Sequence, residues 1–229
     1  MAHLDPDTGR LCLHVVYDGA PRSGKTTTIR ALARRHGLQV ETPEERDGRT
    51  LYFDWLDLQG GQVLGRPIQC RTVAVPGQDG LAARRAAILE AADAVIFIVD
   101  SGRQHVAASR QHFEELLTIL GARTRPIPVL TQLNKRDADD AMELDGLRPL
   151  FEDHSIHLLE SVATDGEGIQ ETFALGVSEA VRALHAGSLL KPGGPSTPSL
   201  GELDLRNPHS LLERLLAQEK TLPGRKESQ

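Results

Sequence analysis

The residues with the clearest chemical meaning form the segment GAPRSGKT at 19–26, which matches the phosphate-binding pattern GxxxxGK[ST]. Gly19 and Gly24 let the backbone curl, so that successive amides point inward at phosphate oxygens. Lys25 places a positive charge on the outer phosphates, and the positive end of the following helix dipole adds to it. The spacing therefore predicts a loop that binds a nucleotide's phosphates.

The same loop is expected to hold a metal ion beside the phosphates. Thr26 offers a hydroxyl to Mg²⁺ at the first turn of the helix. The segment follows a predicted strand and opens a predicted helix, which is the context that the motif requires. The residues of this segment predicted to contact the nucleotide are Gly19, Ser23, Gly24, Lys25, Thr26 and Thr27.

A second motif, NKRD, follows a later strand and can read a base. The Asp137 carboxylate can accept two hydrogen bonds from the N1–H and exocyclic amine of guanine, which adenine cannot supply. Asn134 can bridge the base edge and the phosphate loop, and the Lys135 stem can lie over the ring. The next strand ends in SVAT, whose Val162 and Ala163 are predicted to contact the base, Ala163 through its backbone amide to guanine O6. Together the two motifs predict a guanine-nucleotide site.

Further polar residues stand where a GTP-hydrolysing protein needs them. Thr50 opens a strand after the polar loop at 41–49, where it can meet Mg²⁺ and the γ-phosphate. Gly77 and Gln78 follow the next strand, where they can sense the γ-phosphate and orient water. Arg84 and Arg85 come shortly afterwards, and we interpret them as a solvated face, with contacts to a partner as the alternative.

The elements that must position these residues alternate between strand and helix from residue 11 to about 187. The predicted strands are 11–18, 50–59, 69–77, 94–100, 127–134 and 156–162; the predicted helices are 25–37, 81–91, 103–120, 140–152 and 167–186. This order predicts an α/β fold with a doubly wound, mostly parallel sheet. Strands 50–59 and 69–77 have no helix between them, so we expect one antiparallel hairpin at an edge.

The rest of the chain has a different composition from the predicted domain at 1–187. Residues 188–206 form a linker rich in Pro, Gly and Ser. A short amphipathic helix is predicted at 207–222, with four leucines on one face that dock either on the same chain or on a partner. Residues 223–229 are predicted to be a disordered end, and the whole tail is expected to be flexible.

Composition and charge exclude several classes of protein. The 229-residue chain carries a formal net charge of −6, which disfavours binding to nucleic acid. Its most apolar strip, at 94–99, is far shorter than the roughly 20 residues of a membrane span. The N-terminus lacks the pattern of a signal peptide. We therefore expect a cytoplasmic protein with no integral membrane segment.

Taken together, VVYDGAPRSGKTT, RTLYFDWL, TVAVPGQ and NKRD resemble the MglA-type Ras-like GTPases of bacteria and archaea, a family known for gliding motility and cell polarity. The resemblance covers residues 11 to about 187. It implies the P-loop small GTPase fold, GTP and GDP as ligands, Mg²⁺ as cofactor, and a switch function at a cytoplasmic and polar location. Partners implied are downstream effectors and a Roadblock-type homodimer that stimulates hydrolysis.

The resemblance also implies roles for individual residues. Arg49 matches the arginine that acts in cis as an arginine finger, and Thr50 matches the switch threonine. Asp54 matches an acidic residue in the strand that slides between nucleotide states. Gln78 matches the glutamine that positions water, and with Arg49 and Lys25 it completes the predicted catalytic set.

Two departures from other Ras-like proteins leave a second interpretation open. Ala74 stands where most of them carry an aspartate that holds a Mg²⁺-bound water, although MglA-type proteins lack it too. Pro21 removes one amide from the phosphate loop. Slow unaided hydrolysis is therefore expected. The alternative is a nucleotide-binding scaffold that hardly hydrolyses and acts through partners; an ATP-dependent kinase is disfavoured by NKRD.

Overall fold

A single mixed sheet carries helices on its faces in the part of the chain that the structure describes. The computed structural model describes residues 2–40, 54–63, 66–75, 82–123 and 125–186. The strands are β1 (His3–Leu4), β2 (Leu11–Asp18), β3 (Trp55–Val63), β4 (Arg66–Ala74), β5 (Ala94–Asp100), β6 (Val129–Asn134) and β7 (His157–Glu160). The helices are α1 (Lys25–Arg35), α2 (Ala82–Glu90), α3 (Arg103–Gly121), α4 (Leu144–Phe151) and α5 (Ile169–Ala186). None of these five helices is long and apolar enough to cross a bilayer.

The sheet is doubly wound about β2, as the alternating pattern predicted. The strand order is β3-β4-β2-β5-β6-β7, and β1 pairs with β2. Strand β2 is parallel to β4 on one side and to β5 on the other, and β5, β6 and β7 continue in parallel. The chain therefore winds outward in both directions from β2. The carboxyl end of β2 is the point at which ligands bind in such sheets.

The predicted antiparallel hairpin is confirmed at the β3 edge, but its strands have different bounds. The first strand was predicted at 50–59 from its alternating pattern, but β3 continues through Gly60 and Gly61 to Val63, with a shift in register between Gln59 and Gln62. Glycines are suited to such an irregularity because they lack a Cβ.

The segment before α4 was also predicted wrongly, because the helix begins at Leu144 and not at residue 140. Its preceding residues bond across to the loop that joins β5 and α3. The amide of Met142 donates to the carbonyl of Ser101 (2.8 Å), and the amide of Arg103 donates to the carbonyl of Asp140 (3.1 Å). These bonds satisfy the backbone outside a helix.

The core lies on both faces of β5, whose seven residues are all buried. This confirms the interpretation of AVIFIVD as a central strand covered by helices. On one face, Phe97 packs against Phe113 of α3 with ring centroids 4.9 Å apart. Phe113 in turn meets Phe151 of α4 edge-on at 5.3 Å. These rings fix α3 and α4 to the sheet and thereby fix the loops at its carboxyl edge.

A buried carboxylate fastens the amino-terminal segment to the opposite edge of the sheet. Asp93 accepts hydrogen bonds from the backbone amides of Ala2 (2.8 Å) and His14 (3.0 Å), and Arg125 donates to it at 3.0 Å. Strand β1 lies here and was missed by the prediction, because two residues are too few to show periodicity. Burial lowers the pKa of His14 below its ordinary value of 6.5, although Asp93, 3.5 Å from the ring Nδ1, opposes the shift.

We expect the free energy of unfolding to fall as the pH is lowered below about 6.5. His14 is neutral in the folded protein and becomes protonated in the unfolded chain, so the unfolded state binds more protons in this range. The contribution has a limiting slope of about 1.4 kcal/mol per pH unit. Urea unfolding at pH 7.5 and pH 5.5 measures it, and His14→Gln should reduce the difference.

His185→Gln serves as the matched control, because His185 is exposed at the end of α5. It should leave the pH dependence of the wild type unchanged. Equal pH dependence in wild type and His14→Gln would show that His14 does not make this contribution.

Candidate functional site

The phosphate loop joins the end of β2 to the start of α1 and has the backbone form that its glycines allow. Gly19 and Gly24 have φ angles of 145° and 110°, which L side chains rarely adopt. A Cβ at Gly19 would collide with the carbonyl of Ile98, and one at Gly24 would collide with the side-chain amide of Asn134. Glycine is therefore required at both positions, for conformation and for space.

Lys25 is held inside this loop. Its Nζ donates to the carbonyls of Gly19 and Ala20, both at 2.7 Å. Burial lowers its pKa to about 8, against the attraction of Asp18, and the charge of Arg85 lowers it further. The ammonium is thus buried within the loop at the amino end of α1, a position that suits a negatively charged phosphate as a further partner.

The remaining donors of the loop fit a phosphate group. The hydroxyl of Ser23 is buried and has no hydrogen-bond partner among the residues that the structure describes. Thr26 and Thr27 are half-buried in the first turn of α1. Pro21 lies exposed on the outside of the loop. Amides, a buried ammonium and hydroxyls suit phosphate oxygens, and the hydroxyl of Thr26 is a ligand of the kind that Mg²⁺ takes.

Asn134 ties three loops together at the edge of the sheet. Its Nδ2 donates to the carbonyl of Ser23 in the phosphate loop (2.9 Å). Its Oδ1 accepts from the amide of Ala163 (3.0 Å) and from the hydroxyl of Ser161 (3.2 Å). The residue is 1% exposed. The predicted bridge from NKRD to the phosphate loop is present, and it extends to the loop after β7.

Two further residues of NKRD, Lys135 and Asp137, follow the carboxyl end of β6. Lys135 has a φ angle of 61° and its Nζ donates to Asp100 at 2.6 Å, which fixes the side chain at the carboxyl edge. Asp137 is exposed. Asp100 had no predicted role, and its signal in the sequence was a carboxylate at the end of a wholly apolar strand, where burial demands a partner.

The two residues predicted from SVAT have partners within the protein. The amide of Val162 donates to the carbonyl of Glu167 at 3.1 Å, and its side chain is buried. The amide of Ala163 donates to Asn134, so contact with guanine O6 would have to share or replace that bond.

The interpretation of Arg84 and Arg85 as a solvated face is wrong, because both are buried, at 7% and 8% exposed. Arg85 binds Asp18, the last residue of β2, through Nε (3.1 Å to Oδ1) and Nη2 (2.9 Å to Oδ2). A carboxylate within a buried strand requires a cation, and Asp18 was the sequence signal that could have placed one of these arginines inside.

The predicted switch residues fall mostly outside the described part of the chain. Arg49, Thr50, Gly77 and Gln78 lie there, as do the linker at 188–206, the helix at 207–222 and the end at 223–229. Asp54 and Ala74 are described: Asp54 is buried, and its carbonyl accepts from the amide of Ala74 at 2.8 Å. Ala74 ends β4 without a side chain that could bind Mg²⁺ or its water.

The chain is similar to known proteins over most of the part that carries these motifs. The model of the ADP-ribosylation factor family matches residues 11–179. The chain is also similar to the mutual gliding-motility protein MglA of Myxococcus xanthus (strain DK1622). The two are 30% identical over 180 residues, which cover 75% of this chain and 92% of that protein. The match to the family includes both the phosphate loop and NKRD.

Replacing Asn134 should destabilise the protein even without a ligand. In Asn134→Ala, the carbonyl of Ser23 and the amide of Ala163 lose their shared partner inside the protein. We expect the free energy of unfolding to fall by about 1–3 kcal/mol, as when buried hydrogen-bonding groups are left unsatisfied. Urea unfolding of the nucleotide-free protein measures it.

Asp139→Ala is the control, since Asp139 is exposed in the same loop. It should change stability by less than about 0.5 kcal/mol. A similarly small change in Asn134→Ala would mean that the side chain does not hold the loops together.

Proposed function

The chain belongs to the ADP-ribosylation factor family, as an MglA-type small GTPase, and we propose that it is a molecular switch that binds GTP and GDP and hydrolyses GTP. The observation that carries the proposal is the Asn134 bridge. It places the base-reading motif and the phosphate loop against each other, with Ser23 and Ala163 as its contacts. A site that joins guanine-reading residues to phosphate donors suits a guanine nucleotide as substrate.

The phosphate end would be held by the loop amides, Lys25 and the positive end of α1. Mg²⁺ would be bound by the hydroxyls of Thr26 and Thr50, and it would neutralise phosphate charge. The base would be read by Asp137, with Lys135 over the ring. The fixed position of Lys135 against Asp100 supports this role, because the stem is already oriented at the same edge as Asp137.

Hydrolysis would be catalysed by positioning and charge. Gln78 would orient the attacking water, and Arg49 would supply positive charge to the oxygens of the transferred phosphoryl group. Family resemblance supports both assignments. Ala74 offers no carboxylate toward Mg²⁺, so we propose that unaided turnover is slow and that an activating partner positions these residues. A Roadblock-type homodimer is the partner that the resemblance favours.

The biological role is proposed from the relative. The Myxococcus relative is a mutual gliding-motility protein, and 30% identity over 75% of the chain supports a related role here. We propose action in cell polarity or motility, through downstream effectors, at a cytoplasmic and polar location. Pro21 and Ala74 favour a second candidate, a nucleotide-binding scaffold with little hydrolysis.

Guanine specificity should depend on Asp137. Asp137→Asn should weaken GTP binding by about 2–4 kcal/mol, because two hydrogen bonds to a charged acceptor are lost. It should also shift preference toward xanthine nucleotides, which present a carbonyl where guanine presents an amine. Competition of GTP, ATP and XTP against a fluorescent GDP measures both effects.

Asp139→Asn is the matched control, and we expect it to bind GTP like the wild type. If the wild-type protein binds ATP as tightly as GTP, the guanine assignment fails.

Hydrolysis should depend on Arg49 and Gln78, while nucleotide binding should not. Arg49→Ala and Gln78→Leu should each lower partner-stimulated turnover at least ~10-fold with GTP affinity nearly unchanged, because both act on the transition state. Single-turnover assays with and without a Roadblock-type partner measure this. Arg182→Ala, on the exposed face of α5, should behave like the wild type. Equal turnover in wild type and both variants would favour the scaffold.

A further inference from the structure

A buried ion pair lies directly behind the phosphate loop. Asp18, the residue before Gly19, is 1% exposed. Arg85 of α2 grips its carboxylate from the side, with Nε 3.1 Å from Oδ1 and Nη2 2.9 Å from Oδ2. A two-bond arrangement of this kind is among the strongest contacts that a guanidinium makes. The loop that would bind the negatively charged phosphates is thus preceded by a carboxylate whose charge is offset by Arg85.

The other groups around this pair hold Arg85 in place and keep it charged. From α3, Glu115 accepts from its Nη1 at 2.8 Å and the carbonyl of His112 accepts from its Nη2 at 2.9 Å. Burial alone would lower the pKa of Arg85, but its bonds and charge interactions with Asp18 and Glu115 outweigh burial and raise the pKa. From α1, Lys25 interacts electrostatically with Asp18.

An unpaired carboxylate at Asp18 would oppose phosphate binding in two ways. It would repel the phosphate oxygens through a medium of low dielectric constant, where charges act strongly. It would also compete with the phosphates for Lys25, the cation that the loop offers them. Arg85 would remove both effects, because its charge offsets the carboxylate and its hydrogen bonds go to Asp18, Glu115 and the carbonyl of His112.

We propose that Arg85 is a positioning residue for nucleotide binding, which neutralises Asp18 and so leaves the charge of Lys25 to the phosphates. The inference rests on the proposed function, since it assumes that the loop binds a guanine nucleotide. It assigns to Arg85 an electrostatic role that goes beyond fastening α2 to the sheet. Because the two roles predict different patterns of loss, they can be separated by experiment.

An electrostatic role predicts asymmetry between the partners. Removing the charge of Arg85 should lower nucleotide affinity, whereas removing the charge of Asp18 should not. The loss of affinity should increase with the negative charge of the ligand. A purely structural contact predicts no such asymmetry. Asp18→Asn and Arg85→Gln break the same contact, so both should weaken nucleotide binding. The loss would then be the same for GTP and GDP.

The experiment compares Arg85→Gln, Asp18→Asn and the double variant with the full-length wild type. Affinities for GDP and for a slowly hydrolysed GTP analogue are measured by fluorescence titration, at a temperature where circular dichroism shows every variant to be folded. We expect Arg85→Gln to bind GDP at least ~10-fold more weakly and the GTP analogue a further ~3-fold more weakly. Asp18→Asn and the double variant should remain within ~3-fold of the wild type.

Two further variants sharpen the comparison. Arg85→Lys keeps the charge but loses the two-bond grip, so it should retain the wild-type ratio of GTP to GDP affinity. Glu114→Gln removes a carboxylate of α3 that pairs with Arg110, and it should leave both affinities unchanged. If Arg85→Gln does not fold, the affinity of Asp18→Asn distinguishes the two roles. An electrostatic role requires Asp18→Asn to bind nucleotide no more than ~3-fold more weakly than the wild type.

The proposal is overturned if Arg85→Gln binds like the wild type, if it weakens GDP and the GTP analogue by the same factor, or if Asp18→Asn does not restore binding in the double variant. A wild-type protein that binds neither nucleotide would instead overturn the proposed function. The two failures are therefore distinguishable.

Discussion

The side-chain amide of Asn134 is the contact on which the site depends. It is buried at the carboxyl edge of the sheet, where it donates to the phosphate loop through Ser23 and accepts from the loop after β7 through Ala163. Its volume also explains Gly24, since any Cβ there would collide with this amide. One side chain thereby sets the spacing between the phosphate loop and the NKRD segment. Under the proposed function that spacing would have to match the fixed length of a nucleotide, which would give a physical reason for an asparagine that bonds in both directions.

Buried carboxylates are a second constraint on the fold, because each needs a positively charged partner. Three carboxylates lie at or beside strand ends with almost no exposure, and each has a cation from a neighbouring element: Asp18 with Arg85, Asp93 with Arg125, and Asp100 with Lys135. Removing one partner of such a pair leaves an uncompensated charge, which costs more than the pair contributes. These pairs therefore fix helices and loops in definite positions around the sheet, two at the carboxyl edge and one at the opposite edge.

The sequence predicted the parts of this structure that depend on local pattern. β5 is apolar at six of its seven positions, with Asp100 at its end, and the phosphate loop is defined by spacing; both were placed correctly. What could not be predicted depends on contacts between distant residues. The start of α4 was wrong because Met142 bonds to Ser101, and Arg85 was placed in solvent because its partner lies 67 positions away. Judged by residue type alone, an arginine is expected to be exposed. Only the position of Asp18 in a buried strand indicates that a cation such as Arg85 is buried beside it.

The proposed role of Arg85 would connect the charge of the ligand to the predicted switch residues. α2 begins at Ala82, four residues after Gln78, the residue predicted to position water. The cation that balances Asp18 therefore belongs to the helix that follows Gln78 in the chain. If a bound phosphate favours the arrangement in which Arg85 pairs with Asp18, then by linkage the position of α2 would affect phosphate affinity to the same degree. The buried ion pair would then contribute both to ligand affinity and to the position of the helix.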